Sequence, residues 1–185
     1  MKRYRLFILF FLFLAFSCSK SDDGNQELPE IPQSKTYDLN GDTIDDFTIE
    51  YALGVWDGFR ASGLVYSANF VPERENKILS EYEENVSTTF LFSQRGDTIR
   101  RIADSPQEWD DRGRLHRLWQ SGDGIWSKEW SIDNDEISNP YYAGVQIKEG
   151  DTLLAGWLKL EIDSKTGEIA IADYKLTSKE FIVVD

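Results

Sequence analysis

Residues 35–51 read KTYDLNGDTIDDFTIEY. Asp38, Asn40, Asp42, Asp45 and Asp46 crowd into nine positions, and a period-two pattern starts directly after them. Phe47, Ile49, Tyr51 and Leu53 alternate with Thr48, Glu50 and Ala52. Successive side chains of an extended chain point to opposite faces, so this spacing predicts a strand launched from an acidic turn. The same period recurs in Leu64, Tyr66, Ala68 and Phe70, and the stretches TTFLFS, GIWSKEWSI, YYAGVQI, LLAGWLKLEI and EIAIADYKL are rich in β-branched and aromatic residues. Around Trp157, the set Trp157 and Lys159 alternates with Leu158, Leu160 and Ile162, which predicts one packed face and one wet face. Turn residues separate the runs at Glu149-Gly150-Asp151, Ser164-Lys165-Thr166-Gly167 and Ser121-Gly122-Asp123-Gly124. The pattern predicts an all-β chain, an antiparallel β-sandwich of jelly-roll-like type, folded as a single domain over 36–185. Only residues 75–86, ENKILSEYEENV, carry a short helix-like stripe.

The N-terminal residues read as a targeting segment. Lys2, Arg3 and Arg5 precede the apolar run Leu6–Phe16, which is too short to cross a bilayer as a helix. Ala15-Phe16-Ser17-Cys18 follows and resembles the lipobox of bacterial lipoproteins, with Phe16 where a small residue is usual. The resemblance implies cleavage after residue 17 and a diacylated Cys18. Residues 18–35 are polar with two prolines, a composition suited to a flexible tether. The start, Ser19-Lys20-Ser21-Asp22-Asp23, resembles the acidic export signal of Bacteroidetes-type surface lipoproteins, which implies a lipid-anchored place at the outer membrane. Cys18 is the only cysteine, so a lipidated chain keeps no thiol for disulfides, zinc or nucleophilic catalysis. Removing 1–17 from the 185 residues leaves 168, the size of one ordinary domain.

The net charge is −13, and it includes the three cations of the targeting segment. So acidic a surface repels phosphate backbones, which argues against nucleic acid as a partner and in favour of cations. Counting Asp38 as position one, Asn40, Asp42 and Asp46 fall at three, five and nine, and Ile44 offers its carbonyl at seven. Calcium takes oxygens at such alternate positions. The stretch resembles the Asp-x-Asn-x-Asp loops of dockerins and integrin-type propellers, but it lacks the position-six glycine and the position-twelve glutamate of an EF-hand, having Thr43 and Ile49 there. Asp and Asn also close turns with no ion, through their own backbone. Together with YYAGVQI and GWLKLEID, the loop resembles secreted bacterial β-sandwich proteins that open on an Asp-x-Asn-x-Asp motif. That resemblance implies a calcium site and a sandwich, and no activity.

Catalytic constellations are sparse. His116 is the single histidine, no serine sits in a G-x-S-x-G motif, and no catalytic residue is assigned. Trp109, Trp119, Trp126 and Trp130 fall within 22 residues, among acids, arginines and amides. Indole faces stack on sugar rings, so the cluster is a candidate glycan platform; the alternative places part of these rings in the core. Gly-Asp-Thr occurs at 41–43, 96–98 and 150–152, which reads as repeated turn chemistry more simply than as a repeat. The sequence therefore points to a non-enzymatic, calcium-stabilised envelope lipoprotein with a glycan or surface protein as partner. A glycosidase with a carboxylate pair and a purely structural lipoprotein stand as alternatives. Two acyl chains give a stable anchor. Cys18→Ala should therefore move the protein from the membrane fraction to the soluble one, and a variant that still sediments with membranes would rule out lipidation of Cys18.

Overall fold

The computed structural model describes residues 30–58, 61–81, 89–111, 119–122, 125–126, 130–132 and 135–185. Among them there is no helix, and all strand pairs are antiparallel. The compact unit runs from Ile31 to Asp185 and contains every residue of both apolar clusters described below. Strand β1 (Lys35–Tyr37) already belongs to it, one residue earlier than the sequence pattern places the domain start.

The alternating stretch after the acidic turn forms β2 (Phe47–Gly58), which pairs with β1 and with β3 (Ala61–Pro72) along its whole length. The chain then crosses to a second sheet through β4 (Lys77–Glu81), β5 (Thr89–Phe90) and β6 (Phe92–Ser93). Further on come β7 (Thr98–Arg100), β8 (Gln107–Asp110), β9 (Trp119–Gly122) and β10 (Ile125–Trp126). The short ribbon of β11 (Ser131–Ile132) and β12 (Asp135–Glu136) leads to the meander β13 (Tyr141–Glu149), β14 (Thr152–Ile162) and β15 (Ile169–Thr177), and β16 (Phe181–Val183) ends the chain. One sheet has the order β1-β2-β3-β9-β10; the other is β15-β14-β13-β4-β5, with β6 on β13 and β8 on β4.

The two sheets close over a core that follows the sequence alternation. Phe47, Ile49, Ala68 and Phe70 come from the first sheet; Ile78, Val145, Ile147, Leu158, Leu160 and Ile162 come from the second. Phe47 and Phe70 meet with ring centroids 5.1 Å apart. Each such side chain contributes roughly 1.5–3 kcal/mol when removed from water. The molecule is thus an antiparallel β-sandwich.

Two expectations are corrected. The predicted wet face around Trp157 is covered: β7 and β16 pair as a ribbon over the second sheet and form a further cluster of Leu79, Ile99, Tyr142, Trp157, Ile182 and Val184. Trp157 is 3% exposed, and its Nε1–H donates to the Val183 carbonyl at 3.3 Å. The second sheet therefore carries apolar residues on both faces. Nor is the stretch 75–86 helical over its described part: β4 occupies 77–81, between β13 and β8. Ile78 faces the inter-sheet core and Leu79 the outer cluster. Burial on both sides overrides a marginal helical stripe, because propensity is a small term beside packing.

The turns match their residues. The glycines of the three Gly-Asp-Thr copies have φ of 78°, 96° and 56°. Gly167 (φ 75°) closes the β14–β15 turn directly beneath the Trp130 indole, and a Cβ there would overlap the ring. Gly167→Ala thus combines left-handed backbone cost with overpacking, and should lower stability by roughly 2–4 kcal/mol. Gly41→Ala, at φ 78° with nothing within 4 Å, incurs only the backbone cost of about 1–2 kcal/mol. Urea unfolding of both variants checks the order; equal losses would refute the Trp130 contact.

Candidate functional site

The acidic loop is wound around its own side-chain oxygens. Asp38 Oδ1 accepts from the Gly41 and Asp42 N–H groups (2.7 and 3.2 Å), and its Oδ2 accepts from the Thr43 N–H (2.8 Å). Asn40 Oδ1 takes the Asp42 N–H at 3.0 Å, and Asp42 Oδ1 takes the Ile44 N–H at 2.9 Å. Short acidic and amide side chains satisfy backbone donors two to five residues ahead, and so hold a tight turn. Asp38, Asp42 and Asp45 remain exposed, while Asn40 and Ile44 are half-buried.

Asp46 is different. It is 4% exposed, and its Oδ2 accepts from the Leu39 N–H (2.8 Å) and the Asn40 N–H (3.4 Å). Its Oδ1 and its backbone carbonyl both accept from Asn76 Nδ2, at 3.1 Å each. Asn76, 3% exposed, in turn accepts the Lys148 N–H on Oδ1 at 2.9 Å. Burial pushes the Asp46 carboxyl above the usual carboxylate range, and the Leu39, Asn76 and Asn40 donors offset part of that. This carboxylate is a clamp between loop and core.

The donor set around the loop consists of oxygens, which suits a hard cation. Asp38, Asn40, Asp42 and the Ile44 carbonyl fit that chemistry from the exposed side of the loop, whereas Asp46 is committed inward. Among the described residues, no three His, Cys, Asp or Glu side chains group so as to hold a metal ion. The loop's oxygens are directed at its own N–H groups.

The tryptophans do not form one surface. Trp130 is 5% exposed and belongs to the inter-sheet core, so it offers no face to a ligand. Trp109 is half-buried against the outer cluster. The backbones of Trp119 and Trp126 lie in β9 and β10, and their side chains, like His116 and Cys18, lie outside the described residues.

A cavity of about 540 Å³, marked by no motif in the sequence, lies where β6, β13 with the segment before it, and β14 meet. Phe92, Pro140 and Tyr141 form its apolar lining, and Tyr142, 7% exposed, contributes little surface to it. Phe92 and Tyr141 pack at 4.7 Å between centroids, and the Tyr141 hydroxyl accepts the Ser138 N–H at 2.8 Å, which fixes the ring. Tyr142 stands edge-on to Trp157 at 5.7 Å. Asn139 locks the adjoining loop to β14, donating to the Ile162 carbonyl and accepting the Ile162 N–H, each at 2.8 Å. Ser93, Gln94 and Ser138 add polar groups, and Arg95 and Lys159 add two cations. The lining is about as polar as it is apolar and opens to solvent, so this is a surface cleft whose volume falls in the roughly 300–1,000 Å³ range of small-ligand sites.

Compared with protein-family models, curated proteins and solved structures, the chain matches none.

The clamp and the turn separate energetically. Asp46→Ala leaves buried donors of Leu39 and Asn76 unmatched and should cost about 2–4 kcal/mol, since each buried orphan costs about 1–3 kcal/mol. Asp38→Ala removes an exposed cap of backbone donors, worth about 1 kcal/mol. Urea midpoints measure both; losses of the same size would show that Asp46 anchors nothing.

Proposed function

We propose that the chain is a non-enzymatic binding module of the bacterial outer membrane, held there by lipid on Cys18 and stabilised by calcium at the acidic loop, with a glycan or surface protein as its partner. The observation that carries this reading is the cleft where Phe92 and Tyr141 meet polar and cationic groups on the second sheet. Its rings are locked by packing and by the Tyr141–Ser138 hydrogen bond, so little side-chain freedom remains to be lost on binding. Ring faces and hydroxyl or amide groups together are what a saccharide needs: its C–H face stacks and its hydroxyls bond. A form starting at Ser19 keeps the whole compact unit and is the natural reagent. On a glycan array it should bind a restricted set of saccharides and return them uncleaved. Cleavage of a bound saccharide would overturn the non-enzymatic reading, and silence across the array would leave only a protein partner.

Calcium enters through repulsion. Asp38, Asp42 and Asp45 hold three exposed carboxylates within eight residues, and a divalent ion relieves that. Asp38, Asn40, Asp42 and the Ile44 carbonyl would hold it, with Asp46 keeping the loop shut from beneath. The missing position-twelve glutamate implies weak binding, on the order of 10⁻⁴–10⁻³ M as in other extracellular modules. Calcium at about 1 mM should raise the melting midpoint over that in chelator by the equivalent of about 0.4–1.4 kcal/mol, and Asp38→Ala/Asp42→Ala should abolish the rise. Equal midpoints in calcium and chelator would reduce the loop to a turn.

A further inference from the structure

We propose that the cavity selects a saccharide whose bound ring carries a single anionic group, such as a terminal uronate. This rests on the glycan-binding reading above and specifies its ligand class.

The charge of the lining carries the inference. The chain has 33 acidic residues against 20 lysines and arginines, yet the cavity is lined by two cations and no acid. Lys159 makes no ion pair among the described residues. Its neighbour across the β14–β15 register is Asp173, whose Oδ1 instead accepts the Tyr174 N–H at 2.8 Å. Arg95 sits in the turn before β7. Asp97, in the same turn, accepts the Gln94 N–H on Oδ2 at 2.7 Å, and Asp185, which feels the Arg95 charge, accepts from Lys175 Nζ at 2.8 Å. Asp173 and Asp185 offset part of this charge from outside the lining, and within the cavity the two cations meet no acid. A carboxylate on a sugar ring meets both features: the ring face lies on the aromatic wall while the anion pairs with guanidinium and ammonium.

The charge of the whole molecule limits the ligand further. At net −13 the molecule as a whole repels a long polyanion, whereas the lining of the cavity carries two cations and no acid. One acidic ring at the end of an otherwise neutral chain satisfies both constraints; a polyuronate or a highly sulfated polymer does not.

The test compares xylobiose capped by one glucuronate with its methyl ester, which has the same rings and no charge. Both are titrated into the Ser19-onward form and followed by amide chemical shifts at Ser93, Gln94 and Tyr142. The acid should bind roughly tenfold or more tightly than the ester, the size of one charge-assisted hydrogen bond. Arg95→Gln/Lys159→Gln should erase that difference with an unchanged melting midpoint, and Lys159→Arg should keep it. Equal affinity of acid and ester, or a preference that survives in the double variant, would overturn the single-anion selectivity while leaving glycan binding intact. Shifts with neither compound would overturn the cavity as a sugar site altogether.

Discussion

A carboxylate removed from water must be met by donors, and the structure turns on one that is. Asp46 lies at the junction between the acidic loop and β2, almost fully buried, and receives donors from two parts of the fold. Leu39 and Asn40 belong to the loop, and Asn76 belongs to the crossing between sheets. Through Asn76 Oδ1 the chain of bonds reaches the Lys148 N–H in β13. Two nearly inaccessible polar side chains thus tie the first sheet to the central strand of the second. Removing either partner would leave buried groups unmatched, which costs more than the bond itself contributes. The Glu73 N–H on the Asp46 carbonyl, at 2.9 Å, extends the same junction to the end of β3.

That junction explains a division of labour within the opening stretch. The sequence shows four aspartates of equal appearance, and only packing separates them. Asp38 and Asp42 cap backbone donors at the surface; Asp46 precedes the first core residue, Phe47, and shares its burial. Sequence spacing ranks Asp46 beside Asp38 as a metal ligand because it records position along the chain and not depth. The signal that could have separated them is its adjacency to the alternating run: Asp46 immediately precedes a strand whose first residue points into the core, so the chain is already entering the interior there.

The alternation itself was a sound guide. Phe47, Ile49, Ala68 and Phe70 are buried where period two puts them, and Leu158, Leu160 and Ile162 likewise. It failed where a third element covers a second face. Trp157 and Leu79 are buried by a ribbon made of β7 and β16, whose members lie about eighty residues apart in sequence. No local pattern announces such a partner; a strand with one apolar and one mixed face looks the same whether the mixed face is wet or covered. The tryptophan cluster misled for a related reason. Proximity in sequence placed Trp109 and Trp130 together, whereas the fold sends Trp130 between the sheets and Trp109 to the outer cluster.

The cavity was illegible for the opposite reason: its residues are scattered over 92–95, 138–142 and 159, and none belongs to a motif. Its chemistry is set by register. Tyr142 lies opposite both Ser93 and Lys159, so β13 carries an aromatic ring between a hydroxyl on one neighbour and a cation on the other. A one-residue slip of either pairing would exchange these side chains with residues of the opposite face, and Leu158 or Leu160 would replace Lys159. The inter-sheet core forbids that slip, because it would drive Lys159 among Ile78, Val145 and Phe70. The apolar alternation that specifies the sandwich therefore also holds a cation beside an aromatic wall, and the charge of the site follows from the burial of its neighbours.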